Sequence, residues 1–213
     1  MDLETTAALQ ASYDRVAKEY AARFFGELAH KPLDRALLDC FAEQVRELGP
    51  VAELGCGPGQ IARYLRERGV SILGIDLSEE MVALARRLTP EITFRQGTML
   101  ALDVEDGAWG GIVAFYSIIH LPPDDLPQAL AEFHRALCPG GLVLVSFHVG
   151  DERVHADEFL GKPVAIDAYF YQPETIERHL RAAGFTTEAR LERQPYVAVE
   201  YPSRRGYLLA RKP

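Results

Sequence analysis

Residues 51–60 read Val-Ala-Glu-Leu-Gly-Cys-Gly-Pro-Gly-Gln, a short apolar run that breaks into three alternating glycines. The run predicts a strand over 51–55, and the amphipathic stretch that follows, QIARYLRER at 60–68, predicts a helix. A strand feeding a helix through glycines is the context that a nucleotide-binding turn requires. Glycine permits sharp backbone angles there and lets main-chain N–H groups approach a ligand with no Cβ in the way. The spacing separates one ligand class from another. A dinucleotide fingerprint carries Gly or Ala three residues after its second glycine, where this chain has Gln60. Glu53 sets a carboxylate beside a turn that a pyrophosphate would need bare, so a cationic ligand suits it better.

Outward from this turn the rhythm repeats. Further strands are expected over 70–75 (VSILGI), 91–95 (EITFR), 111–116 (GIVAFY) and 141–147 (GLVLVSF), with a closing pair over 185–193 and 206–211. Helices are expected over 79–88, 125–137 and 173–183. Continuous Val/Ile/Leu runs suit strands covered on both faces, and strand-helix alternation implies right-handed crossovers. The expected fold is therefore α/β, a doubly wound, seven-stranded, mostly parallel sheet. Ser78 before Glu79 and Glu80 makes a favourable helix start, and Cys138-Pro139-Gly140-Gly141 a strong helix stop. Two regions depart from the rhythm. Residues 2–48 read as an N-terminal helical cap broken near His30-Lys31-Pro32, and 148–172 as a lid insertion after the fifth strand. At 213 residues the whole, 1–213, is expected to be one domain. The second strand ends in Asp76, 21 residues beyond Gly55, where an acid can accept both hydroxyls of a ribose. An adenosine-type ligand fits, its charged tail over the glycine turn.

In combination these segments resemble a class I S-adenosylmethionine-dependent methyltransferase of the small-molecule type, over most of the chain. ELGCGPG at 53–59 resembles the family's first motif, GIDLSEEMV at 74–82 the second and FRQGTMLALD at 94–103 the third. LCPGGLVLVSF at 137–147 resembles the post-catalytic motif, and YDRVAKEYAARF at 13–24 the aromatic cap segment. The resemblance implies a Rossmann-like methyltransferase fold and S-adenosyl-L-methionine as cofactor. It implies Glu53, Gly55, Gly57 and Gly59 at the methionine end, Asp76 on the ribose, and Leu77, Thr98 and Met99 around the adenine. Thr98 stands where the family usually has Asp, so the adenine amino contact is weaker. Tyr116 would line the donor pocket, with Tyr13 and Tyr20 closing over it.

The methyl acceptor leaves a fainter trace. Displacement at an activated methyl needs alignment and exclusion of water more than it needs a base. His120, after the fourth strand, is the candidate catalytic acid/base, its alternative being a structural imidazole beneath the loop. His148, His155, Tyr169 and Tyr171 are candidate substrate contacts in an acidic, aromatic lid. The His and carboxylate spacings are not diagnostic of a metal, and none is expected. Lys31 and Arg35 could serve an anionic acceptor but read first as facing solvent, and His134 as a surface residue. With 48% hydrophobic and 25% charged residues the chain is globular, and its net charge of −8 argues against nucleic acid or an anionic membrane as partner. Three scattered cysteines, no secretory pattern and no long apolar run point to a cytoplasmic protein, expected as a monomer or homodimer. The leading expectation is methyl transfer to O, N or C of a small-molecule acceptor. The alternatives are a relative that binds the cofactor without transferring methyl (a scaffold, or other chemistry on the same cofactor) and a macromolecule methyltransferase.

Overall fold

The computed structural model describes all 213 residues. Two helices, α1 (Leu3–Phe24) and α2 (Pro32–Val45), precede the first strand, β1 (Val51–Leu54). Then follow α3 (Gln60–Arg66), β2 (Ile72–Asp76), α4 (Glu79–Leu88), β3 (Thr93–Gln96), β4 (Trp109–Phe115), α5 (Leu126–Ala136) and β5 (Leu137–His148). The chain continues through β6 (Arg153–Phe159), β7 (Lys162–Tyr169), α6 (Pro173–Ala182), β8 (Thr186–Arg193) and β9 (Arg205–Arg211). Seven strands form one sheet in the order β3-β2-β1-β4-β5-β9-β8. The first five pair in parallel, while β9 runs antiparallel to both β5 and β8.

Burial explains why these segments are strands. All four residues of β1 are buried, as are six of the seven in β4, because helices cover both faces. On one face α5 and α6 bring Leu130, Phe133, Ile176 and Leu180 against Ile112, Val143 and Val145. On the other, α2 and α3 bring Leu38, Phe41, Ile61 and Leu65 against Val51, Val113 and Leu144. Helix α4 is capped as expected, the Ser78 hydroxyl accepting from Met81 N–H.

Three expectations change. Residues 148–172 hold an antiparallel hairpin, β6–β7, which packs under α1 through Val164 and Ile166 against Leu9 and Val16. Its two-residue turn places Leu160 (φ 53°) and Gly161 (φ 74°) in the left-handed region. That turn type favours Asn or Asp at the first position, so leucine hid it. Strand β4 begins two residues early, at Trp109, and β5 reaches back to Leu137, so Cys138–Gly141 lie within the strand. The carbonyl of Gly141 accepts from Lys212 N–H and the Lys212 carbonyl from Gly140 N–H, which holds that segment extended. No helix is long and apolar enough to cross a membrane.

The cap is tied to the antiparallel edge by a buried carboxylate. Asp34 of α2, fully buried, accepts from Arg193 Nη2 of β8 at 2.6 Å and from the Tyr207 hydroxyl of β9 at 3.0 Å. Removing one partner of a buried pair strands the other charge. Asp34→Ala is expected to cost about 3–5 kcal/mol, measured by urea denaturation at unchanged slope. A loss below about 1 kcal/mol would mean that Glu200 alone compensates Arg193.

Candidate functional site

The glycine turn leaves β1 in left-handed backbone, with φ 70° at Gly55, 52° at Gly57 and 87° at Gly59. A Cβ on Gly55 would overlap Ser117, whose hydroxyl donates to the Leu54 carbonyl at 2.6 Å and fastens β1 to the end of β4. Asp76, at the tip of β2, grips the turn from the side. One carboxylate oxygen accepts from Gly57 N–H at 2.7 Å and the other from Ser78 N–H at 2.8 Å. Glu53 is buried and accepts from Ala62 N–H at 2.8 Å in the first turn of α3.

Around this turn lies a cavity lined by Glu53, Gly55, Gly57, Asp76, Leu77, Thr98, Met99 and Tyr116, with Tyr13 and Tyr20 of α1 above. Gly59 is not in the lining: its Cβ would lie 2.7 Å from Phe94 Cζ, so it packs behind the turn. The Thr98 hydroxyl accepts from Leu100 N–H at 3.2 Å, which leaves its own proton to donate. No lysine or arginine lines this cavity. Burial therefore raises the Glu53 carboxyl well above its ordinary range and pushes Asp76 up to about 6. Gln60, also in the lining, has a buried Oε1 with no hydrogen-bond partner.

A second cavity, of about 300 Å³, adjoins the first and shares Tyr13, Tyr20, Tyr116 and His120 with it. Tyr116 holds a left-handed backbone (φ 55°), uncommon for a bulky side chain. Its N–H donates to the Ser146 carbonyl and hydroxyl, and its phenol meets the Tyr207 hydroxyl at 2.6 Å. His120 Nδ1 lies 2.9 Å from the Asp167 carbonyl, which only accepts, so Nδ1 carries the proton. Nε2 is then the acceptor for the Tyr13 hydroxyl at 2.8 Å. Burial lowers the His120 pKa and keeps the ring neutral.

Of the four lid residues expected to touch substrate, only His148 lines the second cavity. The Tyr171 hydroxyl is buried against the Leu121 carbonyl in the core. Tyr169 and His155 line a different cleft, where His155 Nδ1 meets Asp167 at 2.9 Å. Strand alternation is the reason: Val154, Ala156, Ile166 and Ala168 point into the second cavity, so their neighbours point away. That two-residue spacing was the signal for the hairpin. No group of three or more His, Cys, Asp or Glu could hold a metal ion.

Several functional-looking residues escaped the motif reading. Lys31 does not face solvent; it is buried in the second cavity and paired with Glu27 at 2.7 Å and Glu200 at 3.4 Å. Glu200, from the segment before β9, and Arg205, the first residue of β9, join it. Arg35 donates to the Ala29 carbonyl at 2.9 Å, and His134 is half-buried with its ring edge-on to Phe185. No local pattern announces these positions, because they come from separate segments.

The profile of a family described as a methyltransferase domain matches residues 51–141. A demethylmenaquinone methyltransferase of Thermus thermophilus is 30% identical over 169 residues, covering 66% of this chain and 76% of that protein. A malonyl-[acyl-carrier protein] O-methyltransferase of Pseudescherichia vulneris is 29% identical over 181 residues, covering 76% of this chain and 67% of that protein. The chain spans about two thirds of the length of the malonyl-[acyl-carrier protein] relatives it matches over most of its own length. Among solved structures, DhpI in complex with SAH superposes with a TM-score of 0.76 at 24% identity, over 100% of this chain and 98% of that one, and shows the shared fold.

The raised Asp76 pKa has a consequence for stability. The group binds its proton near pH 6 when folded, against an ordinary value of 3.8, so the native state loses stability as pH rises from about 4 to 6. Urea denaturation of the wild type and Asp76→Asn should converge below pH 4, with the wild type falling behind across that window. Parallel curves would show that Asp76 titrates as an ordinary surface carboxyl.

Proposed function

The chain belongs to the class I S-adenosylmethionine-dependent methyltransferases, and we propose that it transfers a methyl group to a small acceptor held in the second cavity. The observation that carries this reading is the shared wall of Tyr13, Tyr20, Tyr116 and His120, across which the two cavities meet. The first cavity fits a cationic nucleoside. Two carboxylates there, Glu53 buried and Asp76 half-buried, lack any lysine or arginine, and the Gln60 carbonyl oxygen lacks a donor. Each Asp76 oxygen already accepts one N–H and keeps a lone pair for a ribose hydroxyl. Leu77, Thr98 and Met99 would flank the adenine, and Glu53 with the backbone of Gly55 and Gly57 would face the amino-acid end.

Bound S-adenosylmethionine supplies an electrophilic methyl on a sulfonium sulfur. The protein's part is to align the nucleophile, exclude water and, for a protonated acceptor, remove the proton. Tyr13 and His120 are arranged for the last task. An acceptor proton passes to the Tyr13 oxygen as the Tyr13 proton passes to His120 Nε2, and the Asp167 carbonyl steadies the imidazolium through Nδ1. The acceptor chamber is mainly apolar, lined by Phe24, Phe159, Ile166 and Phe170, which suits an organic molecule with an apolar body. The acidic balance, 31 Asp and Glu against 23 Lys and Arg, favours such an acceptor over nucleic acid.

Calorimetry with S-adenosylhomocysteine should show Asp76→Ala weakening affinity by on the order of 2 kcal/mol, since two charge-assisted hydrogen bonds are lost. Tyr13→Phe and His120→Ala should instead lower label transfer from methyl-labelled S-adenosylmethionine into a nuclease- and protease-treated metabolite extract, by roughly 10²- to 10⁴-fold. Label entering only macromolecules would overturn the small-acceptor reading.

A further inference from the structure

The second cavity has unlike ends. One is apolar, with Phe24 and Phe159 stacked at 6.3 Å between ring centroids and 14° between planes. The other is polar and buried, built from Lys31, Glu200, Arg205 and His148.

The carboxylates at the polar end are already committed. Glu200 takes two hydrogen bonds from Arg193, at 2.6 and 2.7 Å, and has Lys31 at 3.4 Å. Glu27 takes Lys31 at 2.7 Å. The Arg205 guanidinium, buried, has no carboxylate within hydrogen-bond distance, Glu200 lying 3.8 Å from its Nε. It donates instead to neutral acceptors: the Ser203 carbonyl at 2.7 Å, the Tyr201 carbonyl at 3.0 Å and His148 Nδ1 at 3.0 Å. A guanidinium only donates, so His148 Nδ1 is bare and its proton sits on Nε2. That Nε2–H has no protein partner, while the ring is held by stacking on Phe170 at 4.8 Å and 16°. Burial, with the Arg205 charge beside it, drives the His148 pKa down to about 3, so the ring stays a neutral donor. The polar end therefore offers buried N–H donors, and its acceptors are spent on their own cations.

We infer that the methyl acceptor is amphipathic, with an apolar body against Phe24 and Phe159 and one carboxylate-type anionic group received by Lys31, Arg205 and the His148 Nε2–H. The inference rests on reading the second cavity as the acceptor site. A carboxylate there would give Arg205 the close hydrogen-bonded partner that Glu200, standing off at 3.8 Å, does not supply, and a cavity of about 300 Å³ has room for a body the size of one ring or a short acyl chain. A neutral head such as an amide would bring donors to a site that already has them in excess.

The test is calorimetry on the full chain saturated with S-adenosylhomocysteine, using two matched pairs: trans-cinnamate with trans-cinnamamide, and octanoate with octanamide. At least one acid should bind about tenfold or more tighter than its amide. Lys31→Met should shrink that preference to about threefold or less, and so should His148→Phe, which keeps the stack on Phe170 and loses the donor. Neither substitution should change affinity for S-adenosylhomocysteine. Amides binding as tightly as their acids, or no acid binding to the loaded protein, would overturn the inference and leave the methyl-transfer reading standing. Failure of S-adenosylhomocysteine itself to bind would remove both.

Discussion

Two carboxylates beyond the reach of any lysine or arginine, Glu53 buried and Asp76 half-buried, set the terms for the rest of the molecule. Removed from water, Glu53 and Asp76 need hydrogen-bond donors, and the nearest are backbone N–H groups. Gly57 can present its N–H to Asp76 because the turn runs through left-handed backbone, which glycine enters without steric penalty. The acid thus shapes the turn that lies beside it. What backbone dipoles supply still falls short of a full counter-charge, as the raised proton affinity of both groups records. A positively charged ligand supplies the remainder. The same deficit of cations that makes these carboxylates costly in the empty fold makes the cavity selective for a cation-bearing nucleoside over a pyrophosphate.

Tyr116 carries that cavity over into the next. Its backbone is held in a conformation worth about 1–3 kcal/mol of strain for a side chain of its bulk. The strain is sustained by bonds at both ends of the residue, Ser146 on the N–H and the Tyr207 and Asp34 cluster on the phenol. Lys31 and Arg205 each lie 5.5 Å from the ring centroid. A side chain so restrained cannot swing aside when ligands enter. It forms a fixed partition, so the distance between donor and acceptor chambers is set by the scaffold and not by the ligands themselves.

The parallel core was legible in sequence because burial on both faces writes a continuous signal: all seven residues of GLVLVSF are buried. The nucleoside side of the site was legible for a related reason. Its contacts cluster within a few residues of a glycine turn and a strand tip, where local geometry demands particular residue types. The acceptor side obeys no such rule. Lys31, Arg193, Glu200 and Arg205 come from four separate segments, and each looks like a solvated charge until the fold brings them together. Strand β7 shows an intermediate case, since Val164, Ile166 and Ala168 alternate correctly while Leu160 hides the turn that pairs them with β6. Reading the lid as irregular assigned His155, Tyr169 and Tyr171 to the wrong wall, while His148, Phe159 and Phe170 do line the second cavity.

Stability does not explain the charges at that wall. Replacing a buried ion-pair network with apolar side chains of similar volume is often neutral or favourable, so Lys31, Asp34, Arg193, Glu200 and Arg205 are an indirect way to hold α2 against β8 and β9. What an apolar filling could not do is hold donors in place beside an otherwise oily chamber. Arg193 serves this end without touching the cavity, because by taking both oxygens of Glu200 it leaves that carboxylate 3.8 Å from Arg205 Nε, short of a hydrogen bond. Arg205 in turn fixes the histidine tautomer that turns an N–H toward the chamber. The chain of contacts runs from a buried carboxylate on the cap, through a strand-edge arginine, to the one lid histidine that reaches the ligand space. Each link follows from the need of a desolvated charge for a partner, and the last link is left open for a molecule from outside.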